Sequence, residues 1–312
     1  MKQIVVVGLA ISWLAACSGG GGTDAGVVSS PVQVASNQAA STAPATAPTP
    51  TDENAASDAG RALTLPSSGV MPGEGATRLA LGNNHTCALR DGSISCWGSD
   101  LYGQVEPPPT ILDASDIAAG DQNTCAVDAF NLTCWGIDGL DVYPVSHPIA
   151  VATLGFHVCV IDADGLRCLR GTDDDGQLDV PADLVNPTQV ATGLAHTCAL
   201  DDNGVHCWGS NDYGESSVPS LEEPRAIAAG GNFSCAIDAA GVTCWGNNQF
   251  GQLDVPSMVD PVSIAAGFAN ACAVDRYGVR CWGNDDYGQS DVPALVEPVS
   301  VVAGAHHTCA VE

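Results

Sequence analysis

Residues 85–98 read HTCALRDGSISCWG, in which Cys87 and Cys96 stand on either side of an Asp-Gly turn. Closely similar stretches recur along the chain, for example HTCALDDNGVHCWG at 196–209 and FSCAIDAAGVTCWG at 233–246. A short loop that ends in Gly closes a β-hairpin, because Gly adopts the left-handed conformation at little cost. The hairpin places its two cysteines directly opposite each other, with Cα atoms about 4.5 Å apart, which is within the range of a disulfide.

The cysteines form six such pairs, and the members of each pair are nine residues apart. We predict six cross-strand disulfides, which an exported protein can form and keep. Regularly spaced cysteines can also bind zinc, but zinc sites gather four ligands through short Cys-x-x-Cys knuckles, whereas each hairpin here offers two thiols. We therefore expect no metal and no cofactor. The predicted disulfides are Cys87–Cys96, Cys125–Cys134, Cys159–Cys168, Cys198–Cys207, Cys235–Cys244 and Cys272–Cys281.

The hairpin motif recurs about every 37 residues, counted between the first cysteines at 87, 125, 159, 198, 235, 272 and 309. A repeat of this length indicates a solenoid, a propeller or an array. Helical repeats are excluded, because each unit consists of short β-type runs broken by Gly and Pro. Both faces of the hairpin are apolar or small, so each sheet must be covered on both sides, as it is when sheets stack around an axis.

The phrases GxxHTCAL, DxxGxxCWG and YGQxxVP resemble the repeat of the regulator of chromosome condensation family. The last phrase is especially similar to the bacterial secreted propellers that inhibit β-lactamases. The resemblance implies an all-β, seven-bladed propeller over residues 61–312, with repeats that start near 77, 115, 149, 188, 225, 262 and 299. The seventh repeat has no CWG half, so we expect residues 61–65 to complete its sheet beside residues 308–311; a six-bladed ring with a spare C-terminal strand is the alternative.

The second and third repeats depart from the pattern, and we expect them to be the least regular blades. The second repeat has Asp128-Ala-Phe-Asn131 in place of the loop that ends in Gly, and Asn131 can take the left-handed position. The third repeat reads CLRG at 168–171, where the others read CWG.

The N-terminal residues have the pattern of an export signal, because Lys2 precedes an apolar run at 4–16 that is too short to span a membrane. The run ends in LAAC at 14–17, which resembles the bacterial lipobox. This resemblance implies that residues 1–16 are removed and that Cys17 carries the lipid, palmitate included; an ordinary signal peptide is the other interpretation. Residues 17–60 are dominated by Gly, Ser, Ala, Thr and Pro and are predicted to form a disordered tether. We expect a lipid-anchored protein of the cell envelope, at the outer membrane or the cell surface.

The chain is strongly acidic, with 9 Lys and Arg against 36 Asp and Glu and a formal net charge of -27. This charge repels nucleic acid and anionic lipid headgroups. We therefore expect no nucleic-acid partner, and contact with the membrane only through the lipid. A basic protein or divalent cations would be attracted instead.

No catalytic motif stands out from the repeat: the sequence has no nucleophile elbow, Walker loop, His-Glu-x-x-His or carboxylate dyad. His85, His196 and His307 each lie two residues before a first cysteine, and Asn123 and Asn270 replace them in other repeats. A ring of these histidines could bind a metal, but the replacements favour a hydrogen-bonding or packing role. The stretch GTDDDGQLD at 171–179 lacks the ligand spacing and the distal Glu of a calcium loop.

The residues that differ between repeats lie in the loops, where a rigid scaffold usually displays its binding residues. We predict a monomeric binding protein without catalysis, whose loops recognise a protein or a polysaccharide. An extracellular propeller enzyme of the lyase or glycosidase type is the alternative, and guanine-nucleotide exchange is not expected outside the cytosol. Aromatic residues that precede Gly in these loops can equally be packing residues. The candidate binding residues are Asn84, Tyr102, Phe156, Tyr213, Phe233, Phe250, Phe268, Tyr287 and His306.

Overall fold

The repeated hairpin forms seven antiparallel sheets in the computed structural model, which describes Ile4–Val6, Ala15–Gly19 and residues 78–312. The innermost strands are β3 (Arg78–Leu81), β6 (Asp116–Ala119), β10 (Ala150–Ala152), β13 (Gln189–Thr192), β16 (Ala226–Ala229), β19 (Ser263–Ala266) and β22 (Ser300–Ala303). The second strands are β4 (His85–Arg90), β7 (Asn123–Val127), β11 (Val158–Asp162), β14 (His196–Asp201), β17 (Phe233–Asp238), β20 (Asn270–Asp275) and β23 (His307–Val311). The third strands are β5 (Ser93–Gly98), β8 (Asn131–Gly136), β12 (Gly165–Arg170), β15 (Gly204–Gly209), β18 (Gly241–Gly246) and β21 (Gly278–Gly283).

Two sheets have additional strands. In the second sheet, β9 (Asp141–Pro144) pairs with the outer edge of β8. In the seventh sheet, β2 (Ala15–Gly19) pairs with β23 and β1 (Ile4–Val6) pairs with β2. Residues 78–312 contain no helix. The described residues likewise include no helix with the length and apolar character needed to cross a membrane.

The seven inner strands lie around one axis. They line a common axial cavity of about 100 Å³, to which small residues such as Ala118, Ala228 and Ala265 contribute. The turns at the ends of neighbouring inner strands are in close contact: a Cβ atom on Gly304 would lie 2.4 Å from the carbonyl oxygen of Gly82. The seventh and first sheets also share an apolar cluster that includes Leu79 and Val302. The sheets are the blades of a propeller, as the sequence predicted.

All six predicted disulfides are present, and each joins the second and third strands of one sheet. In β14 and β15 the register places Cys198 directly opposite Cys207, and the two Cα atoms are 4.1 Å apart. The pairs lie in the cores between sheets, where Cys87, Cys125 and Cys235 are fully buried.

The outer edge of β23 carries a different segment from the one predicted. We expected residues 61–65 at this edge, but β2 occupies it, with Cys17 opposite Cys309 in the register. Cys309 is disulfide-bonded. Residues 61–65 lie outside the described residues, as do the predicted signal peptide and tether at 1–60 apart from β1 and β2.

The second and third sheets are irregular, although one expected detail is wrong. Asn131 does not adopt a positive φ. The carboxylate of Asp128 closes that loop instead, because it accepts the backbone N–H groups of Phe130 and Asn131 at 2.9 Å. In the third sheet the register shifts between Val158 and Cys159, and Arg170 takes the position opposite Val158 that tryptophan takes in other sheets.

Candidate binding face

Two sets of loops emerge at the same end of the propeller, which we call the upper face. One set is the turns that follow the inner strands, and the other is the loops that follow the third strands. Backbone hydrogen bonds join the two sets, for example from Ser99 N–H to the carbonyl of Asn84 at 2.8 Å. The turns are at 82–84, 120–122, 154–156, 193–195, 230–232, 267–269 and 304–306, and the loops are at 99–104, 137–140, 171–177, 210–215, 247–252 and 284–289. The opposite end, with the hairpin loops, is the lower face.

A buried Gln or Glu side chain shapes five of the upper loops. In the first blade, Gln104 Oε1 accepts the backbone N–H of Tyr102 at 2.9 Å. The same bond is made by Gln177, Glu215, Gln252 and Gln289. In four of these loops the residue that donates the N–H is aromatic, and it is 45–50% exposed: Tyr102, Tyr213, Phe250 and Tyr287. The Gly-Gln phrase of the sequence is therefore the signal of a loop that holds an aromatic side chain half out of the surface.

The turns contribute further predicted residues. Asn84, Phe156 and Phe268 are exposed at the tips of their turns. The ring of His306 stacks on that of Tyr287, with centroids 4.5 Å apart, and so joins the sixth and seventh blades.

Phe233 does not belong to this face. It was predicted as a loop residue, but it is the first residue of β17 and is fully buried. A Cβ atom on Gly230 would touch its ring, which shows how closely the side chain packs under the turn. Phe233 therefore stabilises the blade and cannot contact a ligand.

Acidic residues lie at both ends of the propeller, whereas the arginines are concentrated at the lower end. Residues 78–312 contain seven arginines and no lysine. Of these arginines, Arg170 alone lies at the upper face, where Asp138 and Asp141 pair with it at 2.9 and 3.3 Å. The acidic residues at the same face are Asp100, Asp121, Asp138, Asp141, Asp173, Asp174, Asp175, Asp212, Asp285 and Asp286. The upper face is therefore anionic, with aromatic side chains among its carboxylates.

Five hairpin loops at the lower face have an Asp whose carboxylate accepts backbone N–H groups: Asp128, Asp162, Asp201, Asp238 and Asp275. The carboxylate of Asp201 accepts the N–H of Asn203 in its own loop and of Val185 in the preceding connection, both at 2.7 Å. Burial opposes the charged form of Asp201, but these backbone bonds and His206 hold its pKa below the ordinary value. This end of the molecule uses its carboxylates to fix the connections between blades.

The histidines before the first cysteine join adjacent blades. His85 Nε2 lies 2.9 Å from Thr124 Oγ1, and His196 Nε2 lies 2.9 Å from Ser234 Oγ. His157 and His307 make the same contact with Thr197 and Thr86. Burial lowers the pKa of His85, His157 and His307 to about 4 and that of His196 to about 3, so all four are neutral at pH 7. Within residues 78–312 no three His, Cys, Asp or Glu side chains are grouped so as to hold a metal ion.

Tryptophan indoles also cross the seams between blades, and one of them differs from the rest. Trp135, Trp208, Trp245 and Trp282 each donate the indole N–H to the backbone carbonyl of the Gln or Glu in the preceding blade, at 2.9–3.0 Å. Trp97 is 42% exposed. Sequence reasoning missed this residue, because the pattern gives Trp97 the same CWG context as Trp208 and Trp245.

Comparison with known proteins supports the repeat and the fold. Residues 76–104, 188–215 and 225–252 match the family model of the regulator of chromosome condensation (RCC1) repeat. The chain therefore contains RCC1-type repeats. No curated protein matches it.

Solved structures with a similar fold come from several organisms. Prp20p of Saccharomyces cerevisiae is 16% identical, with a TM-score of 0.63 over 75% of this chain and 82% of that one. The ectodomain of the receptor kinase CR4 from Physcomitrella patens is 24% identical, with a TM-score of 0.59 over 72% and 67% of the two chains. Human WBSCR16 is 17% identical, with a TM-score of 0.62 over 79% and 93%. At these identities the likeness shows the propeller fold alone.

Proposed function

We propose that the protein is a monomeric binding propeller of the cell envelope, which recognises a protein or a glycan through its upper face and catalyses no reaction. The observation that carries the proposal is the set of four half-exposed aromatic side chains, each held by a buried Gln or Glu, on an anionic face. Aromatic side chains that are fixed before binding lose little entropy on contact and are frequent interface anchors.

The location in the envelope is supported by the six disulfides, because such bonds persist in oxidising compartments. Anchoring through a lipid on Cys17 is part of the proposal. A thioether-linked lipid and a disulfide cannot share one sulfur atom. The lipid-anchored form and a form with a Cys17–Cys309 disulfide are therefore alternative states, since the two residues face each other in the register and Cys309 is disulfide-bonded in the structure.

The upper face can be tested against the lower one with matched variants. Tyr213→Ala/Phe250→Ala removes two upper aromatic side chains, and Phe130→Ala/Tyr277→Ala removes two side chains of the hairpin loops that are 75% and 70% exposed. Both purified variants are assayed against envelope proteins and a glycan array. We expect the upper variant to lose at least about tenfold in affinity for whatever the wild type binds, because interface aromatics are typical hot spots. Equal losses in the two variants, or a loss in the lower one only, would contradict the proposal.

A further inference from the structure

The seams between blades show what kind of group fits beside a CWG tryptophan. At the seam of the fourth and fifth blades, the carbonyl oxygen of Glu215 accepts both the indole N–H of Trp245 and the hydroxyl of Ser234, at 2.9 and 3.0 Å. The carbonyl of Gln104 does the same for Trp135 and Thr124. The carbonyl of Gln177 likewise accepts Trp208 and Thr197, so three seams place one backbone carbonyl, carried by a tight loop, between two donors of the next blade.

The same two donors are present at the seam of the seventh and first blades. Trp97 and Thr86 stand opposite each other in β5 and β4, as Trp208 and Thr197 do in β15 and β14. The Oγ1 atom of Thr86 lies 2.8 Å from Nε2 of His307, which is the contact that histidines make at filled seams. Among the described residues, however, no carbonyl is bonded to Trp97, and its side chain is 42% exposed where the tryptophans Trp135, Trp245 and Trp282 are 3–7% exposed.

We propose that this notch, formed by Thr86 and Trp97, takes a loop of a protein partner, whose backbone carbonyl accepts the Trp97 indole N–H and the Thr86 hydroxyl. The inference rests on the proposed function and selects a protein over a glycan as its partner. A backbone carbonyl on a tight loop is the group that the equivalent position accepts elsewhere in this molecule, and its two lone pairs can accept both donors at once. The stacked pair of Tyr287 and His306 on the sixth and seventh blades provides apolar surface on the same face.

The probe for the notch is a cyclised peptide with the sequence of residues 247–256, NNQFGQLDVP, which contains the loop that fills the seam beside Trp282. Cyclisation limits the entropy lost on binding. The fluorescein-labelled peptide is titrated into the full chain and followed by anisotropy. We expect saturable binding by the wild type. Binding should weaken about fivefold in Trp97→Phe, which keeps an aromatic ring but loses the indole N–H, and at least about tenfold in Trp97→Ala. Tyr277→Ala, which removes a 70% exposed side chain of a hairpin loop at the lower face, serves as the control and should bind like the wild type.

Three results would overturn the inference. The first is no saturable binding by the wild type at millimolar peptide, and the second is equal binding by the wild type and Trp97→Ala. The third is binding that arises only after residues 20–25, which follow β2 in the chain, are deleted, because the chain itself would then fill the notch. The peptide assay is independent of the search for a natural ligand. Peptide binding that depends on Trp97 would therefore support the notch even if the Tyr213→Ala/Phe250→Ala variant kept full affinity for its ligand. Conversely, if that variant lost affinity but the peptide did not bind, the notch would be ruled out and the upper face would remain the binding surface.

Discussion

Trp245 donates its indole N–H to the backbone carbonyl of Glu215 at 2.9 Å, across the seam between the fourth and fifth blades. The side chain of Glu215 is fully buried, and its carboxylate accepts the Ser210 hydroxyl and the Tyr213 N–H, both at 2.8 Å. One residue therefore joins two blades through its backbone and, through its side chain, fixes the loop that exposes Tyr213. Blade packing and the candidate binding face depend on the same contacts.

Glu215→Ala should lower the free energy of unfolding by about 2 kcal/mol, because two partly buried donors lose their acceptor and the buried side chain leaves a cavity. Glu215→Gln should change it by less than about 0.5 kcal/mol, since Gln occupies this position in the other loops of this type and its amide can still meet both groups. Urea unfolding at pH 7 measures both. Equal losses in the two variants would show that the carboxylate charge, and not its acceptor geometry, holds the loop.

Trp245→Phe and Trp97→Phe form a matched pair, because they remove the same N–H group from a filled seam and from the notch. We expect Trp245→Phe to cost about 1 kcal/mol of stability, the value of one hydrogen bond plus a small loss of packing. Trp97→Phe should leave stability unchanged, since the Trp97 side chain is 42% exposed. Urea unfolding curves of the two variants decide this, and a comparable loss for Trp97→Phe would mean that its indole is bonded within the folded chain.

Much of the fold could be predicted from the sequence, because the same hairpin pattern recurs along the chain and each copy predicts the same local structure. The spacing of nine between Cys198 and Cys207, with an Asp-x-x-Gly loop between them, leaves one hairpin register that joins the two sulfurs. The apolar character of both hairpin faces then requires neighbours on both sides. The position of Phe233 could not be obtained in this way, because a turn and the first residue of a strand differ by a single position, and only the packing under Gly230 decides between them.

The binding face was harder to predict than the fold. From the sequence, the tyrosines before Gly could equally be buried packing residues or exposed binding residues. Their exposure depends on where a buried Gln side chain points, which the sequence pattern does not specify. The exposure of Trp97 depends on a contact between the first and seventh repeats, which are far apart in sequence. Likewise, β2 and not residues 61–65 lies beside β23, a pairing that no local pattern indicates.

Removal of one hairpin disulfide should destabilise the protein modestly. In Cys198→Ala/Cys207→Ala we expect a loss of about 2 kcal/mol, at the low end for disulfides because the closed loop is short. Thermal unfolding under non-reducing conditions measures the change. Peptide mapping of the wild type without reduction provides the control, and a cross-link between cysteines of different repeats would contradict the hairpin model.

The chemical state of Cys17 separates lipid anchoring from pairing with β23. If the lipobox is used, cells labelled with a palmitate analogue should yield a tagged protein, and Cys17→Ala should lose the tag. Mass spectrometry of the mature N-terminal peptide gives the same answer independently. A tag that survives the substitution, or a peptide in which Cys17 is linked to Cys309, would rule out the lipid on this residue.

The buried histidines should make the protein sensitive to acid. Their pKa values in the folded state, about 3 to 4, lie below the ordinary value of 6.5 because burial disfavours the charged form. Above pH 6.5 the folded and unfolded chains are both neutral at these residues, and stability is complete. As the pH falls from 6.5 towards 4, the unfolded chain alone binds protons, so stability decreases by about 1.4 kcal/mol per pH unit for each histidine.

The fifth and sixth blades suggest how to test this acid sensitivity one seam at a time, because Phe233 and Ala271 stand where other seams have histidine and a hydroxyl residue. The variant His196→Phe/Ser234→Ala copies that apolar pair into the preceding seam. We expect its free energy of unfolding to fall less steeply than that of the wild type between pH 6 and 4.5, by about 1.4 kcal/mol per pH unit, since one proton fewer is taken up on unfolding. Urea unfolding across this range measures the slope, and Ser234→Ala alone, which keeps the histidine, is the control. An unchanged slope in the double variant would mean that His196 is already protonated in the folded protein or that it does not titrate on unfolding.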